Sequence, residues 1–484
     1  MSRPFATEPL EYSFDISASG FARHGPNHPN SQLDTQREEL TYGSGFYIND
    51  APIGSAFGRH LDPVYSDWID LALAVYYADR LSPRRDPKDP ARPYQWARRI
   101  SLTIPVRLPD LWNSPAVLDR AERALRFFTE DVWDLKFVPS VGNSQSQEAQ
   151  AFLFSTPVSM PAYVALLSGG LDSFAGACRA VAEETDYSFV FISGVTNSRQ
   201  KAAQREQVRA LRRLARHEVY HITVPFGLSR YGRLRGEGEE QTQRSRGFLF
   251  LTLGAITSLM AGSNALHVHE NGIGAINLPY DATQIGTSSS RGVHPLSLLM
   301  MQKLVEALVD KSFRFRNAHL YQTKGEMCKH RAVRRLAPFV WTTFSCDGFP
   351  VQVHGKPQCG SCTSCLLRRL SLQVADLCEF DTGEQYVCDL LDRTSKPSEK
   401  QLRHLNVMEW QSRKIAQRIR GPRAWENLVL EFPDLQTIAT ELGARAAGGP
   451  AEVCGRLTEL YSNYVSEWEH FSARRQLGVI ARAA

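Results

Sequence analysis

An apolar run, Tyr163-Val164-Ala165-Leu166-Leu167, is followed at once by Ser168-Gly169-Gly170-Leu171-Asp172-Ser173 and then by apolar residues at helical spacing. That succession limits the fold. Two adjacent glycines let the backbone turn sharply between a buried strand and a helix, the geometry of the first turn of a βαβ unit. The pattern then repeats: it predicts strands over 163–167, 188–192, 219–224 and 265–268, alternating with helices over 172–183, 201–215 and 248–260. Alternation of this kind implies a parallel, doubly wound α/β sheet.

The regions on either side read differently. Residues 1–155 predict a separate N-terminal α+β domain suited to docking a partner, with helices over 66–77 and 116–128 and an alternating strand over 101–108. Within it, 82–93 reads as a Pro- and Arg-rich loop and 142–150 as a polar linker. Residues 156–375 form the α/β unit, and 376–484 predict a C-terminal helical region with helices over 399–419, 423–430 and 451–471. The longest apolar run, 247–262, contains two Thr and one Ser and is too short to span a bilayer. A buried helix, and a cytoplasmic protein without membrane contact, are expected. The net charge of +5 leaves no global nucleic-acid footprint, although 199–216 holds seven basic residues and one acid, a basic stripe or a solvated helix face.

In an open α/β sheet ligands bind beyond the carboxyl ends of the strands. The segment 168–173 sits at such an end, where amides near Gly169 and Gly170 and the following helix N-terminus can face phosphate oxygens. Ser168 and Ser173 can donate hydroxyls, and Asp172 can cap the helix or hold Mg²⁺. A plain Gly-Gly turn with a capping residue is the alternative. No Gly-Lys-Ser/Thr follows, so this is not a Walker loop. Cys346, Cys359, Cys362 and Cys365, spaced by 13, 3 and 3 positions, offer four thiols to one Zn²⁺; an iron–sulfur cluster or a disulfide are the other readings of that spacing. The remaining cysteines, 178, 328, 378, 388 and 454, read as small buried apolar residues.

The string Ser-Gly-Gly-Leu-Asp-Ser resembles the PP-loop of the adenine nucleotide α-hydrolase-like superfamily. Together with Thr323-Lys324-Gly325-Glu326-Met327, the four cysteines and Leu366-Leu367-Arg368, it resembles the QueC family, 7-cyano-7-deazaguanine synthases, over roughly residues 163–375. The resemblance implies a PP-loop ATP pyrophosphatase fold with a zinc knuckle. It also implies an AMP-forming C–N ligase that adenylates a 7-deazaguanine carboxylate and transfers the acyl group to an amine, with ATP, Mg²⁺ and Zn²⁺ as cofactors. The ATP site would comprise Leu167, Ser168, Gly169, Gly170, Leu171, Asp172, Ser173 and Ser193. Ser168, Asp172, Ser173 and Arg246 would be catalytic, with Arg246 facing nucleotide or substrate carboxylate.

Glu270, Asn271 and Gly272, after a strand, are expected to read the substrate ring or to form a plain turn, with Asp281 and Arg291 contributing from a Ser/Gly-rich loop that also holds Thr287 and His294. His267 and His269 read as packing residues, and Arg368 and Arg369 as contacts to phosphate, partner or solvent. The chain departs from the family in its long flanks, in Ser193-Gly194-Val195-Thr196-Asn197-Ser198-Arg199-Gln200 where the family has a Tyr-Gly-Gln-Arg-His type of segment, and in Glu270-Asn271-Gly272 where it has Gly-Val-Asn. These features are closer to the long QueC-like proteins of bacterial anti-phage operons, the QatC type. That likeness implies protein partners from the same operon. A free nitrile synthase, a tRNA-modifying enzyme and a non-catalytic ATP-binding scaffold are the rival readings.

Overall fold

In the computed structural model the described residues are 10–17, 20–24, 38–41, 46–84, 97–140, 158–228, 240, 242, 244–279, 291–348, 355–391 and 397–480. They form an α/β structure with two sheets. The first uses β1 (Leu10–Ser17), β2 (Gly20–His24), β3 (Glu38–Thr41), β5 (Arg98–Val106) and β6 (Val132–Pro139), in the order β3-β2-β1-β5-β6. β1 is antiparallel to β2 and parallel to β5. The second sheet has the order β11-β10-β7-β8-β9-β4, from β4 (Phe46–Ile48), β7 (Ala162–Leu166), β8 (Ser188–Val195), β9 (Val219–Leu228), β10 (Ala265–Val268) and β11 (Arg314–Asn317). It is parallel except where β4 runs antiparallel to β9.

Helices cover both faces of this second sheet, and side chains alternate between them. Val164, Val190, Ile192, Ile222 and Val224 pack with Phe248, Leu251 and Ile256 of the helix Arg246–Met260 on one face. Tyr163, Ala165, Phe189, Phe191 and Val219 pack with Phe174, Ala177 and Val208 on the other. Because neither face meets water, β8 is buried along its whole length and shows no polar alternation.

The strand order contains one reversal. From β7 the chain moves outward through β8 and β9, then returns past β7 to lay down β10 and β11 on the other side. The gap between the carboxyl ends of β7 and β10 is therefore the topological switch point, where ligands of open α/β sheets bind. The segment 168–173 follows β7, and Glu270, Asn271 and Gly272 follow β10.

Most helices expected in this unit form with ends shifted by a few residues: Leu171–Glu183, Ser198–Leu211 and Arg246–Met260. The N-terminal region is less separate than its composition suggests. β4 joins the second sheet, and the helix Pro63–Arg80 is buried on nearly every side because it lies against both β5 and the helix Arg246–Met260. A single hydrophobic core runs through both regions. The expected loop 82–93 beyond residue 84 and the linker 142–150 lie outside the described residues. Among those described, no helix is long and apolar enough to cross a membrane.

A buried ionic network joins the two regions. Arg98, fully buried at the start of β5, contacts Asp79 at 2.6 Å and Asp131 at 2.5 Å. The second oxygen of Asp79 accepts from Ser245 N at 3.0 Å and from Ser245 Oγ at 2.6 Å, where the helix Arg246–Met260 begins. Replacing Arg98 by Ala would remove the guanidinium paired with buried Asp79 and leave Asp131 to its other partner, Arg84 at 2.7 Å, so urea unfolding of Arg98→Ala is expected to show a loss of about 3–5 kcal/mol. A loss below about 1 kcal/mol, the range of an exposed pair, would show that the network does not bear on stability.

Candidate functional site

The turn after β7 is closed by its own hydroxyls. Gly169 takes φ +92°, a left-handed conformation open to glycine without a Cβ penalty. Ser168 Oγ accepts from Gly170 N at 3.2 Å and donates to Ser173 Oγ at 3.0 Å; Ser173 Oγ in turn donates to Gly170 O at 3.0 Å. Ser168 is exposed. Gly170 is the N-cap of the helix Leu171–Glu183 and supplies no side chain to satisfy the first amides. Among the described residues, the amides of Gly169, Leu171, Asp172 and Ser173 make no hydrogen bond, leaving a set of donors at a positive helix end.

The underside of the loop is held by residues that the sequence reading did not single out. Gln200, Gln204 and Gln207 are buried on one side of the helix Ser198–Leu211. Their amide nitrogens donate to Ser168 O at 3.4 Å, to Ser168 O at 3.2 Å and Leu167 O at 3.3 Å, and to Gly169 O at 3.0 Å. Their spacing of four and three along a predicted helix was the available signal. Ser193 is buried and donates to Leu167 O at 2.7 Å, with His221 Nε2 at 2.9 Å from its hydroxyl. Burial, with Arg212, Arg205 and Lys201 adding their charges, holds His221 near 4. Ser193 thus supports the loop from beneath.

Across the switch point Asp172 meets the other strand end. Its Oδ1 accepts from Asn271 Nδ2 at 3.0 Å and its Oδ2 lies 2.7 Å from Lys324 Nζ. Asn271 Nδ2 also donates to Glu270 Oε1 at 2.9 Å. Asp172, Asn271 and Lys324 are buried. Burial raises the Glu270 carboxyl from its ordinary 4.5 to about 8, and the nearby Asp172 charge adds to the rise. Burial opposes the Lys324 charge, but Asp172 and Glu270 outweigh it and hold the ammonium above its ordinary value. Gly272 belongs to this junction for steric reasons: a Cβ there would lie 2.0 Å from Leu320 O.

Other expected site residues stand apart. Arg246 starts its helix with its guanidinium 4.9 Å from the Phe250 ring, and its buried Nε has no partner among the described residues. Burial pulls its pKa down, Arg80 adds to that and Tyr76 opposes it. No described hydrogen bond or ion pair links it to 168–173. Arg291 turns to the N-terminal region, pairing with Glu130 at 2.9 Å and donating to Phe127 O at 3.1 Å. Asp281 and Thr287 lie outside the described residues. His294 caps the helix Pro295–Val309, accepting from Leu296 N at 3.2 Å. His267 stacks on Tyr163 at 3.8 Å and His269 is buried.

The basic stretch is divided. Arg212 donates to Val219 O, Arg213 lies over Phe339 and Arg209 pairs with Glu206, while Arg199, Arg205 and Arg216 are exposed.

Cys346, Cys359, Cys362 and Cys365 converge, with all four sulfurs within 4.8 Å of one another and Cys359 Sγ 3.9 Å from Cys365 Sγ. Tetrahedral thiolates at Zn–S distances of about 2.3 Å are separated by about 3.8 Å, so the set can hold a zinc ion. Sulfurs at this distance are not bonded, since a disulfide spans about 2.05 Å. Backbone amides already turn toward the sulfurs: Cys359 N to Cys346 Sγ at 3.4 Å, Cys362 N to Cys359 Sγ at 3.3 Å and Cys365 N to Cys362 Sγ at 3.4 Å. The knuckle also touches the loop, because Phe344, two residues before Cys346, donates its amide to Gly169 O at 3.1 Å.

Two sequence expectations nearby are corrected. Arg368 meets neither phosphate nor solvent; it is fully buried, 2.9 Å from Asp381 Oδ1 and donating to Val340 O, because the helix Thr363–Val374 turns it inward. Cys378 is exposed rather than buried, since it lies in the short turn Cys378–Phe380 beyond that helix.

No protein-family model matches the chain, and no curated protein matches it. The chemistry is therefore read from the arrangement itself: free amide donors at a helix start, beside a buried carboxylate–ammonium–carboxamide cluster at the switch point.

Two measurements check this geometry. Gly360 has φ +81° and an added Cβ would lie 1.8 Å from Cys388 O, so Gly360→Ala is expected to lose zinc from a protein that otherwise carries one ion per chain by elemental analysis. The raised Glu270 pKa means that the unfolded chain ionises first as pH climbs, so wild-type stability falls between about 4.5 and about 8. Thermal melts should show Glu270→Gln gaining on wild type across that window and matching it near pH 4; a difference independent of pH would contradict the assignment.

Proposed function

We propose that this chain activates a carboxylate by transferring AMP to it from ATP and passes the acyl group to an amine, the carboxylate being that of a 7-deazaguanine acid. The observation that carries the reading is the unsatisfied amide cradle of 168–173 placed at the switch point beside Asp172, Lys324, Glu270 and Asn271. The sequence resemblance to QueC supplies the substrate class.

In this reading a carboxylate oxygen attacks the α-phosphorus, its bond to the β-phosphate oxygen breaks and pyrophosphate leaves. An amine nitrogen then attacks the acyl carbon, the C–O bond to AMP breaks, and the nitrogen gives up its proton to solvent. The amides of Gly169, Leu171, Asp172 and Ser173, with the hydroxyls of Ser168 and Ser173, would receive the pyrophosphate oxygens. Lys324 places an ammonium beside them. Such a reaction gains most from positioning and charge stabilisation. Glu270 holds its proton below about pH 8 and so can donate as well as accept toward a heterocycle, with Asn271 beside it.

The cluster also suits Mg²⁺ brought in with ATP, since Asp172 offers a carboxylate beside the amides of the loop. When bound, the ion would neutralise phosphate charge. Zinc at the four cysteines would be structural, with four thiolates filling a tetrahedral site. The resemblance to long anti-phage members adds an amine on a protein partner as the alternative to ammonia.

The test is incubation with ATP, Mg²⁺ and 7-carboxy-7-deazaguanine, with and without ammonia, followed by quantifying pyrophosphate, AMP and the deazaguanine product. AMP and pyrophosphate are expected, and Gly169→Ala or Asp172→Ala should cut them by about a hundredfold or more. A nitrile formed with ammonia would make the chain a free nitrile synthase, and AMP formed only with a protein partner would identify a conjugating enzyme. ATP binding without turnover under every condition would overturn the proposal.

A further inference from the structure

The long C-terminal helix Gly449–Ile480 reaches back to the switch point. Its Glu467 is buried and accepts from Thr323 Oγ1 at 2.5 Å. Thr323 is the N-cap of the helix Lys324–Lys329, and its hydroxyl also accepts from Glu326 N at 3.1 Å while Glu326 Oε2 accepts from Thr323 N at 2.7 Å. One residue on, Lys324 makes the ion pair with Asp172. A second contact from the same helix, Asn463 Nδ2 to Glu326 Oε1 at 2.8 Å, grips the other member of the capping box.

The neighbouring glycine is shaped to this contact. A Cβ on Gly325 would lie 2.3 Å from Glu467 Oε1 and 2.8 Å from its Cδ. The helix Gly449–Ile480 also presses Leu460 against Gly272, where an added Cβ would come within 2.6 Å of Leu460 Cδ2. Both segments that complete the Asp172 cluster, one after β10 and one carrying Lys324, are therefore backed by the same C-terminal helix.

We infer that Glu467 is a positioning residue for the candidate site: through the Thr323 hydroxyl it fixes the capping box that aims Lys324 at Asp172, so that the C-terminal region completes the anion-binding end of the switch point. This rests on the proposed function for its link to ATP, but the link from Glu467 to Lys324 stands on the geometry alone. An acceptor for the Thr323 hydroxyl is what the contact demands. Gln supplies one through its amide oxygen and Ala does not.

The experiment uses the full chain with Glu467→Ala, Glu467→Gln and Gly325→Ala. Two readouts are taken, the acylation rate of Lys324 by a small amine-reactive ester, followed by peptide mass spectrometry, and the Kd for Mg-ATP. Glu467→Ala is expected to raise Lys324 labelling and weaken Mg-ATP binding, each by about fivefold or more, while Glu467→Gln stays within about twofold of wild type. Gly325→Ala should resemble Glu467→Ala, and adding it to Glu467→Ala should cost little more, since the side chain it collides with is gone. If Glu467→Ala labels Lys324 as wild type does, or if the two changes in the double variant add in full, the inference fails. If wild type does not bind Mg-ATP but Lys324 labelling follows the pattern above, the positioning role stands and the proposed function falls. Should Glu467→Ala not fold, failure of the Gln variant to hold wild-type labelling overturns the inference by itself.

Discussion

A carboxylate buried at the carboxyl edge of a parallel sheet needs partners to offset its lost hydration. Asp172 meets that requirement with groups from two distant segments, Asn271 after β10 and Lys324 beyond β11, and so ties together the strand ends on both sides of the switch point. The rest of the second sheet is arranged around this junction. The helix Leu171–Glu183 carries the carboxylate, β10 delivers the carboxamide, and the C-terminal helix holds the segment that delivers the ammonium.

The loop before Asp172 leaves its donors free because its other needs are met from elsewhere. Three buried glutamines and the Phe344 amide take its carbonyls, and the Ser168 and Ser173 hydroxyls bond to each other and to Gly170. With its carbonyls satisfied from below, the loop keeps amides without a partner among the described residues, the donors an anion needs. The four-cysteine knuckle belongs to the same support, since a metal there would anchor the chain two residues from the Phe344 contact. A structural metal and a phosphate-type loop thus become parts of one assembly, although 173 and 346 are far apart in sequence.

Much of this was legible in the sequence. The strand–Gly-Gly–helix junction, the βα alternation and the cysteine spacing are local patterns, and each appears within a few residues of its expected position. Glu270 and Asn271 follow a strand at the sheet's carboxyl edge, a position readable from the sequence, and the structure sets Asn271 against Asp172 and Glu270. Lys324 lies within the segment Thr323-Lys324-Gly325-Glu326-Met327, but nothing nearby in sequence indicates that its ammonium meets Asp172. Arg291, expected beside the substrate, pairs instead with Glu130, a residue whose proximity arises only when the N-terminal helices pack on the second sheet. The separateness expected of residues 1–155 gave way for a similar reason: three residues of β4 are too short a strand to announce themselves, and β9 had an open edge to accept them.

Backbone conformation and short-range ligand spacing are set by which side chains follow one another, so the amino-acid sequence alone determined the glycine turn, the helix that follows it and the clustering of thiols. Pairing of buried polar groups is set by which surfaces come together, and only the tertiary structure decided that Glu467, 144 residues from Thr323 along the chain, would accept its hydroxyl. The physical reason is that a strand or turn answers to its neighbours, whereas a buried charge answers to whatever packing leaves beside it.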